Sequence, residues 1–194
     1  MSAGSLTRKP SARARLLAAA DELFYAEGVH TVGIDRIIER AGVAKASLYS
    51  TFGSKEELVR AYLERRHQLR RERLLAGLER YDNPRDRLLG VFDVLADLTA
   101  NPGFRGCAFY NASAESVVPG GAVEQVSAAN RAWTRGLFTE LAGDAGVADP
   151  AALAAQFMIL YDGASVGARM DHQAGPAVLA RRVAESLLND AEAA

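Results

Sequence analysis

Apolar residues recur at three- and four-residue intervals along almost the whole chain, the spacing that gathers them on one face of a helix. Leu16, Leu17, Ala20, Leu23 and Phe24 make the first stripe, which Gly28 ends. Ile34, Ile37, Ile38 and Ala41 make the second, stopped by Gly42. A short third segment runs from about Lys45 to Thr51. Ser54-Lys55-Glu56-Glu57 then has the form of a capping box, in which Ser54 accepts from the Glu57 amide and Glu57 reaches back. It opens a long helix toward Tyr81.

The second part begins at "NPRD", with Pro84 suited to the first turn of a helix carrying Leu88, Phe92, Leu95 and Leu98. "NPGFRG" breaks it, "CAFYNASAES" reads as a short helix and "VVPGG" closes that one. A further helix passes through Trp133, Phe138 and Leu141. Asp149 and Pro150 open another through Phe157, Leu160 and Tyr161 to about Gln173, and a last one, near 176–190, carries Leu179, Val183 and Leu187. There is no β-alternation of useful length, no internal repeat and no low-complexity tract. The pattern predicts an all-α chain of about nine helices, with the first ten and last four residues disordered.

Composition narrows this only slightly. The 194 residues are 49% hydrophobic and 24% charged, the profile of a soluble globular protein with one large core or two small domains sharing one. No apolar run is read as reaching the length of a bilayer span. The N-terminus places basic residues before an apolar stretch, but Asp21 and Glu22 interrupt it too early for a signal peptide. The single cysteine, Cys107, excludes an intrachain disulfide and fits a reducing, cytoplasmic location. Charge is unevenly spread. Residues 1–73 hold fourteen Lys/Arg against nine Asp/Glu, and residues 74–194 hold nine against fifteen. Such a split points the N-terminal part toward a polyanion, although an excess of this size also arises by chance.

The stretch "AGVAKASLYSTFGSKEEL", residues 41–58, carries the chemistry. Three short helices in about forty residues, the second and third joined by a glycine turn, form a helix-turn-helix. Gly42 supplies the left-handed residue such a turn favours. Val43, Leu48 and Phe52 face inward, which leaves Lys45, Ala46, Ser47, Tyr49 and Ser50 outside. Small and hydroxylated side chains let a helix lie close to the floor of a major groove about 12 Å wide. Lysine and tyrosine bond phosphates, and the amides at the start of the fourth helix are ready for an anion.

The segment "TVGIDRIIERAGVAKASLYSTFGSKEELVRAYL" resembles the DNA-binding domain of TetR/AcrR-type transcriptional regulators, over residues of roughly 12–63. The resemblance implies that the third helix reads an operator, with Lys45, Ala46, Ser47 and Ser50 facing bases. Tyr49 and Lys55 would hold the backbone, and Thr31 a further phosphate. It implies domains at 11–56 for DNA binding and 57–194 for ligand binding and dimerisation, after a basic arm at 1–10. Two departures stand out: Gly33 and Ala44 occupy capping positions where the family often has a hydroxyl. Alanine costs about 1 kcal/mol relative to serine there, so the third helix is expected to fray. Arg8, Lys9, Arg13 and Arg15 either track phosphates or a minor groove, or merely solvate the arm. The run "RRHQLRRER" (65–73) is a solvated or interdomain ion-pair face, or a DNA contact.

For the C-terminal part the resemblance implies a homodimer through the last two helices and a small-molecule effector. "YDGASVGARM" lines up small residues that let another helix approach, with Leu153, Phe157, Val183 and Leu187 as candidate interface residues; packing against the chain's own fifth helix is the alternative. A pocket would draw on Phe92, Phe104, Tyr110, Trp133, Met158 and Tyr161, beside Phe109 and Phe138. Asn111, Asp162 and Arg169 would orient a ligand. The same aromatics also serve as plain core. Cys107, Asn111 and Glu115 fall on one helix face, as a pocket wall or a buried edge. Cys107 is a sensor thiol or a small hydrophobe. No metal, cofactor or catalytic motif is legible. The reading is of a repressor that binds a palindromic double-stranded DNA operator and is released by an apolar or amphipathic effector. A ligand-independent regulator, an activator, a protein adaptor and a helical enzyme with a vestigial helix-turn-helix are the rivals.

Overall fold

A computed structural model describes residues 10–116 and 118–193. Among these, nine α-helices and no strand are present. They are α1 (Ala12–Glu27), α2 (Ile34–Ala41), α3 (Lys45–Phe52), α4 (Lys55–Leu78), α5 (Pro84–Thr99), α6 (Ala108–Glu115), α7 (Ala122–Asp144), α8 (Pro150–Asp171) and α9 (Gly175–Ala193).

Local sequence sets four of the helix starts. Ser11, Ser54, Asn83 and Asp149 each accept a backbone amide three residues on, and Pro84 and Pro150 occupy the first turns of α5 and α8. Only half of the expected capping box forms: Ser54 accepts from the Glu57 amide, while the Glu57 carboxylate pairs with Arg60 instead of turning back. α4 stops at Leu78, a turn short of Tyr81. α9 continues to Ala193, through most of the tail expected to be disordered. The arm at 1–10, apart from Pro10, lies outside the described residues, and Arg8 and Lys9 with it.

Two apolar clusters hold the helices. Leu16, Phe24, Ile37, Leu48, Leu58 and Tyr62 build the first, joined by Phe109 and Ala112 of α6 and Val123 of α7. The second is built by α5, α7, α8 and α9 around Phe92, Phe138, Phe157 and Tyr161. Those four rings pack with centroids 5.4–6.2 Å apart, mostly edge to face. Such pairs contribute about 0.5–1.5 kcal/mol each beyond their burial. α4 runs through both clusters, with Leu58, Val59, Tyr62 and Leu63 in the first and Leu74 and Leu78 in the second.

Two expectations need correcting. Leu153 and Phe157, expected at an interface, are buried in the chain's own core. α8 is, by length and composition, apolar enough to cross a membrane, although the chain was read as lacking such a run. In the fold it packs against α5, α7 and α9.

Candidate nucleic-acid interface and effector cavity

The turn between α2 and α3 is built as the sequence requires. Gly42 has φ 61° and ψ 48°, the left-handed conformation that a side chain disfavours, and its amide bonds the Glu39 and Ile38 carbonyls. Arg15 closes this turn, its guanidinium donating to the carbonyls of Ala41 at 3.0 Å and Gly42 at 2.8 Å. Arg15 is therefore a brace for the α2 end rather than part of a DNA-tracking arm. Arg13 lies over the Phe52 ring.

Leu48 is fully buried, and Val43 and Phe52 pack at its sides. α3 thereby turns Lys45, Ala46, Tyr49 and Ser50 outward, with Ser47 half-buried. Ser50 and Thr51 both donate to the Ser47 carbonyl. Ala44 makes no capping bond, yet α3 is formed over two turns. Lys45 is paired with Asp35 across the turn at 3.0 Å, which holds its ammonium above its ordinary pKa. Thr31 is exposed just before α2. Lys55, at the first turn of α4, is half-buried, and its Nζ donates to the His30 carbonyl at 3.4 Å. Burial pulls the Lys55 pKa down, against the pull of Glu115. The outward residues of α3, with Thr31 and Lys55, bracket the helix-turn-helix.

Within the basic run of α4, Arg66, His67, Arg70 and Arg71 face the rest of the protein, while Arg65 and Arg73 are exposed. Arg66 pairs with Asp21 at 2.6 Å and stacks over Tyr25 at 3.9 Å. His67 sits edge-on to Phe109 and Trp133 and bonds Asn130. Arg71 lies over Trp133. Arg70 reaches toward Cys107, with Nη1 3.7 Å from Sγ, and over the Tyr161 ring. These four residues make an interdomain face, one of the alternatives open in the sequence.

A cavity of about 300 Å³ lies among α4, α6, α7 and α8. Of the residues expected at a pocket, Cys107, Tyr110, Met158 and Asp162 line it, and Phe109 joins them. Phe92 does not; it is fully buried in the aromatic cluster. Phe104 and Tyr161 line a smaller recess on the far side of Arg70 and Cys107. Trp133 packs on α4. Asn111 donates to the Arg105 carbonyl, tying the loop before α6. Arg169 is exposed beside Gly106. The row Cys107, Asn111, Glu115 is thus divided: Cys107 meets the cavity, Asn111 holds a loop and Glu115 holds the α1–α2 turn. Arg70, Ser113, Ser127, Asn130 and Ser165 also line the cavity and escaped the sequence reading. For Arg70 a signal existed. It stands seven residues after buried Leu63 and four before buried Leu74, on the helix face that turns inward.

A family model described as bacterial regulatory proteins of the tetR family matches residues 16–62. The chain is 36% identical to a TetR-family transcriptional regulator from Streptomyces coelicolor, covering 93% of this chain and 95% of that one, with a TM-score of 0.87. A putative TetR-type regulator from Streptomyces avermitilis is 30% identical over 94% and 99%, with a TM-score of 0.82. Among characterised proteins, the transcriptional activator FasR of Mycolicibacterium smegmatis is 32% identical over 146 residues. That match spans 74% of this chain but only 65% of FasR.

Proposed function

Because the chain belongs to the TetR family of DNA-binding transcriptional regulators, we propose that it is a homodimeric repressor that a small effector releases from a palindromic operator. Its relatives are regulators and not enzymes. The observation that carries the effector-response part of this reading is the link between cavity and recognition helix. α4 and α6 line the cavity, and the same two helices brace α1–α3. A ligand that repacks α6 therefore has a direct route to the spacing of the two DNA-reading heads, by favouring one of two states.

In this reading Lys45, Ala46, Ser47 and Ser50 meet base edges, and Tyr49, Lys55 and Thr31 meet phosphates. Residues 11–56 form the DNA-reading unit and 57–194 the effector and dimer unit. Dimerisation is supported by an exposed apolar stripe on α8 and α9, where Ile159 is 74% and Leu179 57% exposed. Val183 belongs to the same stripe. Two-fold pairing would set the recognition helices about one DNA turn apart.

FasR is named an activator, and that favours a second reading in which effector binding strengthens promoter occupancy. Fluorescence-polarisation binding to DNA from upstream of the chain's own gene, across a salt series and beside a scrambled duplex, tests the proposal. Nanomolar preference for the native duplex with a steep salt slope supports it. Equal, weak binding to both duplexes defeats the autoregulatory repressor. Binding that tightens when effector is added selects the activator.

A further inference from the structure

We propose that the cavity takes a small organic monoanion, a carboxylate-bearing molecule whose oxygens pair with the guanidinium of Arg70. The inference rests on reading this cavity as the effector site and names the ligand's class.

Arg70 projects from the middle of α4 into the cavity wall. Its Nε is fully buried and has no hydrogen-bond partner. Its Nη1 meets only the Cys107 sulfur, at 3.7 Å, and sulfur is a weak acceptor. The Tyr161 ring lies 5.0 Å from the guanidinium carbon and offers a π face but no counter-charge. Among the described residues no carboxylate is in ion-pair range of Arg70. Asp162, the acid that lines the cavity, is held by Arg131 at 2.6 Å at the outer lip.

A half-buried guanidinium whose Nε is sealed off without an acceptor and whose other contacts are a sulfur and a tyrosine is costly, and it does not shed its proton to escape that cost. What the site lacks is an anion. A carboxylate matches the planar donor fork of arginine in a bidentate pair. A neutral amphipath leaves the charge unpaired and a cation is repelled by it. A dianion would call on a second free cation, and Arg131 is already engaged. The rest of the lining suits the remainder of such a ligand. Phe109, Met158 and Val166 give an apolar wall for its carbon body, and the hydroxyls of Ser113 and Ser127 stand at one side, 3.1 Å apart.

The test is calorimetry and thermal melting of the full-length protein with benzoate, hexanoate and octanoate, each beside its primary amide. The acids are expected to bind and raise the melting temperature, with the amides far weaker. Arg70→Gln is expected to lose about ten- to a hundredfold in affinity for the acids, the scale of hydrogen bonds to a charged group. Arg71→Gln, on the same helix but stacked on Trp133 and outside the cavity lining, is expected to leave that affinity nearly unchanged. Should Arg70→Gln lose its helical circular dichroism, Arg70→Lys carries the test, keeping the acid-over-amide preference at reduced affinity. The proposal is overturned if amides bind as well as acids, if no acid binds the folded protein, or if Arg70→Gln binds acids like the parent. Loss of acid binding on Cys107→Ser alone would also overturn it, in favour of the thiol. Acid binding without any change in operator affinity would leave the anion site standing and remove the effector reading.

Discussion

The carboxylate of Glu115 accepts the backbone amide of His30 at 2.7 Å, joining the last residue of α6 to the turn between α1 and α2. The other end of α6 is tied to the same part of the protein. The Tyr25 hydroxyl donates to the Gly106 carbonyl at 3.0 Å and accepts from the Arg105 amide at 2.9 Å. The helix is eight residues long, and its middle carries Tyr110 and Ser113 into the cavity wall. The His30 carbonyl is in turn held by Lys55. Lys55, proposed above to meet a phosphate, the turn before α2 and the helix that lines the cavity are thus joined by two hydrogen bonds.

Glu115→Ala is expected to free the His30 amide. Exchange of that amide with deuterium should quicken about tenfold or more, the scale of a lost hydrogen bond to a charged acceptor. Amides in the α7–α9 cluster should keep their protection. Gln in place of Glu115 keeps an acceptor and should fall between. Unchanged exchange at His30 in Glu115→Ala would show that Glu115 does not hold the turn.

Tyr49→Phe and Lys55→Ala should each weaken operator binding by a similar factor on specific and scrambled DNA, because phosphate contacts carry no sequence information. Lys55→Ala should also lower the slope of log affinity against log salt by about 1. Ser47 and Ser50 face bases in this reading, so their replacement by Ala should change preference among operator variants more than overall affinity. Filter binding or fluorescence polarisation over a salt series separates the two patterns.

How far the sequence reached follows from which interactions are local. The starts of α4, α5 and α8 were legible because Ser54 and Asp149 sit next to the amides they cap and Pro84 fits a first turn. The turn at Gly42 was legible because left-handed backbone selects glycine. The exposed face of α3 followed from helical spacing once Leu48 was taken as core. What failed was long-range pairing. Arg15 could not be seen to brace residues twenty-six positions away, nor Glu115 to hold His30 across eighty-five. Phe92 read as pocket and Phe157 as interface, and both are core, since an aromatic at helical spacing is apolar in all three settings. Arg70 was hidden for a different reason: it lies in a run of charges that composition alone assigns to solvent.

Ala44→Ser should stabilise the protein. Ala44 has φ −72° and ψ 151°, the extended geometry of an N-cap, and offers no side-chain acceptor to the first amides of α3. Serine there supplies one and is expected to add about 1 kcal/mol. That corresponds to a rise of about 2–4 °C in Tm for a chain of this size. If α3 frays without DNA, the same substitution should also tighten operator binding, because less helix ordering is left to binding. No rise in Tm would mean that the α3 start is already satisfied by water or neighbouring backbone.

Phe157 and Ile159 stand two residues apart on α8 and should respond in opposite ways. Phe157 is fully buried among Phe92 and Phe138, so Phe157→Ala opens a cavity in the second cluster. Its expected cost is about 3–5 kcal/mol, seen as a lower denaturation midpoint at any protein concentration. Ile159 is 74% exposed and lies in a shallow groove with Gly163, Leu179 and Val183, so it has little core packing to lose. Ile159→Glu should keep the helical circular dichroism while placing two like charges at the proposed two-fold interface. Sedimentation should then report a monomer where the parent reports a dimer, and binding to a two-half-site operator should fall toward that of one half-site. A variant that still sediments as the parent does would move the dimer interface away from this face of α8 and α9.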